Sequence, residues 1–227
     1  NGSDTEVQVK DSATAIQNAQ KIAAEIKNGG GTTDKRLEAI LQKICELVSY
    51  NDEAAAAPSY DMNAWGIIWV FDDDPETKVV CEGYAKAFQY LCDQVFDSSE
   101  LTCYTVTGTM DGGTGEGPHM WNIVSKNGLN YLVDVTNCDG NSVGNPDKLF
   151  MQLLHGNAGE DGSFTYDGDT QTYTARIDSR NQVTYQYDAD TTALYPESIL
   201  TLSAEGDPEI PTPGDYTIAP DSASLSA

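Results

Sequence analysis

The chain has 227 residues, 39% of them hydrophobic and 21% charged, which suits a globular protein able to bury a substantial core. Twelve Lys and Arg stand against 36 Asp and Glu, for a formal charge of −24, and such a surface repels phosphate backbones and anionic head groups, disfavouring nucleic-acid and peripheral membrane roles. No apolar run is long enough to span a bilayer.

The chain opens Asn1-Gly2-Ser3 without Met, which reads as removal of a leader or a tag-bearing front end. An acidic, Lys-poor composition rich in Asn, Thr and Gly fits an extracellular protein, secreted or held at the cell surface. Asp11 to Lys27 predicts a first helix with Ile16, Ala19, Ala23 and Ile26 on one face, stopped by Gly29-Gly30-Gly31. A second helix follows Thr33 as its cap, with Leu37, Ile40, Leu41, Ile44 and Val48 repeating at helical spacing. Both read as packing scaffold. The Ala-rich stretch Asp52 to Pro58 ends that helix, and Tyr60 to Phe71 is unusually aromatic and apolar.

Asp72-Asp73-Asp74 and Pro75 then punctuate the chain. Beyond them Tyr84, Ala87, Phe88, Leu91 and Val95 keep the three-and-four spacing of one helix face, so Cys81 falls at or near a helix N-terminus. The positive end of a helix dipole favours an anion there, which suits a sulfur nucleophile, although a Cys at a helix start also serves as a small buried hydrophobe.

Leu101 to Gly108 alternates as a strand, and Asp111 to Gly117 reads as a flexible loop, either the rim of a cleft or an ordinary turn. Pro118 to Val124 and Tyr131 to Val135 are strand-like and flank Asn127-Gly128, a strong short hairpin signal. His119, Trp121 and Ile123 then share one face, and pairing about that turn sets His119 beside Asp134 across one ladder. Asp147 to Leu154 predicts a short amphipathic helix ending at His155, which reads as structural or surface-facing. Gln171 to Ile177 and Gln182 to Tyr187 are strand-like, while Asp161, Asp167 and Asp169 lack the spacing of a calcium loop. Residues 206–227 carry Pro-Gly-Ser punctuation and read as a linker or the start of a further module.

Five cysteines leave an odd count. With Cys81 set aside as a thiol, Cys45, Cys92, Cys103 and Cys138 admit three pairings, but Cys45 lies in a helical apolar stripe and Cys92 beside Leu91, which favours buried thiols. No CxxC or His/Cys ligand spacing appears, so neither a metal nor a cofactor is expected.

A sulfur nucleophile needs a base, and the chain has only two His residues. Cys81, His119 and Asp134 together supply a nucleophile, a proton shuttle and a carboxylate to orient the imidazole. Acyl chemistry also needs a second donor for the oxyanion beside the backbone N–H of Cys81. Asn63 and Trp65 are the candidates and Trp69 a weaker one, with core or cleft wall the other reading of the two Trp residues. Trp121 either shields a sulfur–imidazole pair from water or fills the core, and Tyr84 is a further candidate for the cleft wall.

Cys81-Glu82-Gly83-Tyr84-Ala85, Gly117-Pro118-His119-Met120-Trp121-Asn122 and Tyr131-Leu132-Val133-Asp134-Val135-Thr136 resemble, in order, the three sequence blocks of the transglutaminase-like superfamily, most closely its secreted bacterial branch. The resemblance runs from about Leu37 to Leu153. It implies an α+β fold with a papain-like core, in which N-terminal helices precede a nucleophile-bearing helix packed on an antiparallel sheet. It assigns Cys81 as nucleophile, His119 as general base and acid and Asp134 as orienting carboxylate. Thr136 is followed by Asn137-Cys138-Asp139-Gly140, where close relatives commonly carry an aromatic and an acidic residue; substrate contacts beside Asp134 are where this sequence departs.

The domain plan expected from this is a helical extension over 1–32, a catalytic domain over 33–205 and the linker over 206–227. The expected activity is acyl transfer on peptide or side-chain amides through a thioester on Cys81, with hydrolysis favoured over cross-linking. The partner would be a protein or peptide, cell-wall peptide included, acted on by a monomer. The competing expectation is a catalytically silent binding module that keeps the fold at the cell surface or cell wall.

Overall fold

The computed structural model describes residues 3–56, 66–112, 115–140, 149–153, 164–167, 172–176 and 182–187. They form an α+β protein of two compact units, divided between Asp97 and Ser98.

The first unit is helical. α1 spans Ser3–Gly29 and is longer at both ends than the apolar spacing alone predicts, since polar turns extend a helix without contributing to its buried stripe. α2 spans Thr33–Leu47 and buries Leu37, Ile40 and Ile44. Its cap is Thr32 rather than Thr33, because Thr32 has the extended backbone of a cap and its hydroxyl accepts from the Lys35 N–H at 3.3 Å. Strand β1 (Ser49–Tyr50), the single turn α3 (Asp52–Ala55) and the short helix α4 (Gly66–Val70) follow. Strand β2 (Lys78–Val79) lies parallel to β1, with Ser49 opposite Lys78 and Tyr50 opposite Val79. That pairing anchors the chain two residues before Cys81.

α5 (Cys81–Val95) is the central helix of this unit, packed against α1, α2 and α4. It buries Tyr84, Ala87, Phe88, Leu91 and Val95, the predicted face, and also Ala85, Tyr90, Cys92 and the polar Glu82 and Gln89, so it is buried nearly all round. Gly66 and Gly83 let α4 approach the first turn of α5: a Cβ on Gly83 would lie 3.2 Å from the Gly66 carbonyl oxygen and 2.8 Å from the Val79 Cβ.

Asp93, on the same helix, is half-buried, and burial pushes its carboxyl up to about 7. The unfolded chain, near 3.8, gives up that proton first. Stability is therefore full below about 4 and falls as pH rises to about 7, at roughly 1.4 kcal/mol per unit for a fully coupled group. Asp93→Asn is expected to flatten this slope, so that urea unfolding at pH 5 and pH 8 shows the variant gaining about 2 kcal/mol on the parent across that interval. An unchanged difference would show that Asp93 is fully hydrated.

The second unit holds an antiparallel sheet in the order β6-β5-β4-β3-β9-β8-β7. Its strands are β3 (Thr102–Gly112), β4 (Gly115–Lys126), β5 (Leu129–Val133), β6 (Gln152–Leu153), β7 (Phe164–Asp167), β8 (Thr172–Arg176) and β9 (Gln182–Tyr187). Asn127 (φ 55) and Gly128 (φ 72) both take the left-handed conformation that a two-residue β4–β5 turn of type I′ requires.

Four expectations are corrected here. The glycine-rich stretch from Asp111 to Gly117 is mostly strand, because β3 and β4 stay paired out to Gly112 opposite Gly115 and β9 pairs with Asp111 on the other side. The β4–β5 ladder ends at Asn122 opposite Val133, so His119 and Asp134 are not ladder partners. The last strand block stops at Val133, and Val135–Gly140 turns into the short helix α6. Finally, Gln152 and Leu153 pair with Leu132 and Tyr131 as an edge strand where a helix was predicted from Asp147 to Leu154, edge pairing overriding the local spacing. Residues 141–148 and Leu154 lie outside the described residues.

Gly108 marks the close approach of β9 to β3. A Cβ there would lie 2.0 Å from the Gln186 carbonyl oxygen and 2.8 Å from the Trp121 ring. Gly108→Ala is expected to cost about 2–3 kcal/mol in urea unfolding, since backbone and a buried indole must both give way. A midpoint equal to the parent's would show that β9 docks less closely.

Candidate functional site

His119 sits in β4, paired with Gly108 of β3, and is only 8% exposed. Asp134 is the single residue between β5 and α6, held by its backbone N–H donating to the Leu149 carbonyl at 2.9 Å. The chain turns sharply there because the Asp134 side chain caps α6: Oδ1 accepts from the Asn137 N–H at 3.2 Å. This turn carries the fully buried carboxylate past the end of the ladder to the imidazole, where Oδ2 lies 2.9 Å from His119 Nε2.

Two further donors converge on the same oxygen. The Asn137 side-chain amide donates to Oδ2 at 2.6 Å, and the Tyr185 hydroxyl, from β9, donates at 2.7 Å. Asn137 Nδ2 also contacts Met110 Sδ at 3.1 Å. Burial pushes the Asp134 carboxyl up, but the charge of His119 and the hydrogen bonds from His119, Asn137 and Tyr185 outweigh it and hold the group below the usual carboxylate range. An ionised Asp134 fixes the proton of the neutral imidazole on Nε2, leaving Nδ1 as the ring's basic nitrogen.

Aromatic rings enclose the pair. Trp121, fully buried, stacks on His119 with centroids 5.9 Å apart and planes 17° apart. It also meets the Tyr185 ring at 5.1 Å, and Tyr185 lies 6.3 Å from His119. These walls keep water from the imidazole–carboxylate contact and so strengthen it.

Cys81 belongs to the first unit and is its own small construction. It is the first residue of α5, half-exposed, after an extended Val80 cap that supplies no side-chain hydrogen bond. Glu82 beside it is buried and pairs with Lys86 one turn on. No disulfide joins any of the five cysteines, all of which are described.

Comparison with protein-family models finds no match, and comparison with curated proteins finds none. Among solved structures, a crystal structure of a TGase is similar over 52% of this chain, at 18% identity and a TM-score of 0.38. The chain spans 31% of that protein's length.

Of the residues singled out by sequence, the structure brings together His119, Asp134 and Trp121. Tyr84 is fully buried in the helical unit and Trp69 is 41% exposed on α4. Asn63, Trp65 and His155 lie outside the described residues. Asn137 and Tyr185 are the members that sequence reasoning missed. Asn137 was visible only as a departure from a familiar block, and Tyr185 as one of several aromatics in a late strand. Among the described residues no group of three or more His, Cys, Asp or Glu is placed to hold a metal ion, and no helix is long and apolar enough to cross a membrane.

Proposed function

We propose that the chain is a cysteine-dependent acyl-transfer enzyme of transglutaminase-like type. The observation that carries this reading is the buried 2.9 Å contact between His119 Nε2 and Asp134 Oδ2, which fixes the tautomer a thiol-activating imidazole needs. The three sequence blocks, and a half-exposed Cys81 at the start of a 15-residue helix, support the choice of nucleophile.

In this mechanism His119 takes the thiol proton through Nδ1, and the sulfur adds to the carbonyl carbon of a peptide or side-chain amide. The tetrahedral intermediate collapses as His119 returns that proton to the departing nitrogen, leaving a thioester on Cys81. Water then adds, His119 accepting its proton, and the thiol is regenerated with release of a carboxylic acid. An amine in place of water would yield a new amide. Hydrolysis is the favoured outcome, because water is always in excess. Asp134 stabilises the imidazolium in every step without itself taking a proton. The proposed setting is extracellular, with a protein or peptide substrate, cell-wall peptide included, and a monomeric enzyme on a papain-like core.

The test is limiting iodoacetamide at pH 6 with mass-spectrometric readout of each thiol. Fast alkylation of Cys81 that is lost in His119→Ala supports the enzyme. Five equally slow thiols would overturn it and leave a silent binding module.

A further inference from the structure

We infer that Tyr185 is a positioning residue of this centre: its hydroxyl, together with the Asn137 amide, fixes the Asp134 carboxylate and thereby sets the orientation and basicity of His119. The inference deepens the acyl-transfer reading and rests on it for its catalytic meaning, but the geometry is observed independently of any reaction.

Oδ2 is the oxygen that faces His119 Nε2, and it is also the oxygen that takes the Tyr185 hydroxyl at 2.7 Å and the Asn137 amide at 2.6 Å. Oδ1 meanwhile accepts from the Asn137 backbone N–H at 3.2 Å. The carboxylate is thus held from three sides and cannot rotate without breaking contacts in a fully buried position. Among the described residues of the second unit, the titratable groups that face the imidazole are Asp134, from the β5–α6 junction, and Tyr185, from β9. Tyr185 is itself fully buried and packed on Trp121, which stacks on the imidazole, so its ring and hydroxyl constrain opposite members of the same pair. The hydroxyl also draws negative charge from Oδ2. Without it that oxygen is the stronger acceptor, and the imidazolium is favoured.

The test is Tyr185→Phe, which keeps the ring and removes only the donor. The readout is the titration of the His119 ring in NMR spectra, assigned by its disappearance in His119→Ala. The His119 midpoint is expected to rise by roughly one pH unit, with no movement in the control Tyr131→Phe. A purely structural Tyr185 would lower the urea midpoint and leave the titration in place, which would overturn the inference. If Tyr185→Phe fails to fold, the parent protein decides. A Tyr185 hydroxyl proton protected from solvent, with a cross-peak to the His119 ring N–H, supports the role, and a freely exchanging hydroxyl overturns it. Iodoacetamide labelling of Cys81 separates the two levels. A shifted His119 titration with slow labelling in both proteins keeps the positioning role and removes the acyl-transfer reading. An unshifted titration with fast parental labelling does the reverse.

Discussion

Replacing Asp134 with Ala is expected to lower the unfolding free energy by about 3–5 kcal/mol, the scale seen when one member of a buried charged contact is removed. The reason lies in what the carboxylate leaves behind. His119, Asn137 and the Tyr185 hydroxyl all point at Oδ2 in a fully buried position, so each loses its partner there. The same side chain caps α6 through the Asn137 N–H, a contact worth about 1 kcal/mol. The pH dependence has a definite sign. Because the folded carboxyl lies below its unfolded value of 3.8, its stabilisation is present above about pH 4 and is lost as pH falls through the folded value. Urea unfolding of parent and variant should therefore differ most at neutral pH and converge in acid. A loss under about 1 kcal/mol at pH 7 would show that the contact is solvated.

Cys81→Ala is expected to reduce amide hydrolysis by about 10⁴-fold or more, since removal of a nucleophile leaves only binding and oxyanion stabilisation. The fold should survive: Cys81 is half-exposed, while the packing of α5 depends on Tyr84, Phe88, Leu91 and Val95. His119→Ala should fall to a similar level. The double variant should be no slower than either single one, because the two act as a unit. Turnover of a peptide library before and after each substitution, with circular dichroism to confirm folding, measures both statements. Retained turnover in Cys81→Ala would end the acyl-enzyme reading.

The helical half of the molecule was legible because its spacing is strong. Leu37, Ile40 and Ile44 on α2, and Tyr84, Phe88 and Leu91 on α5, are both the periodic residues and the buried ones. Asn127-Gly128 likewise announced its turn. The sheet was harder to read where tertiary pairing overrides local preference. Glycines around Gly112 and Gly115 look like loop, yet β3 and β4 remain paired there and β9 pairs with Asp111. The proximity of His119 and Asp134 was anticipated, but through a ladder register that does not extend so far. The actual cause is the turn into α6, which no alternation pattern signals. Tyr185 was illegible because it meets Asp134 across 51 positions of chain. Only the insertion of β9 beside β3 makes it a neighbour.

That insertion gives the protein a timetable. A ribosome delivers the helical unit first and the β3–β5 meander next, so Cys81, His119 and Asp134 have all emerged while β9 is still unsynthesised. Until Tyr185 arrives, the buried carboxylate lacks one of its three side-chain donors. A nascent chain therefore carries an unfinished imidazole–carboxylate pair until the last described strand has been made and docked.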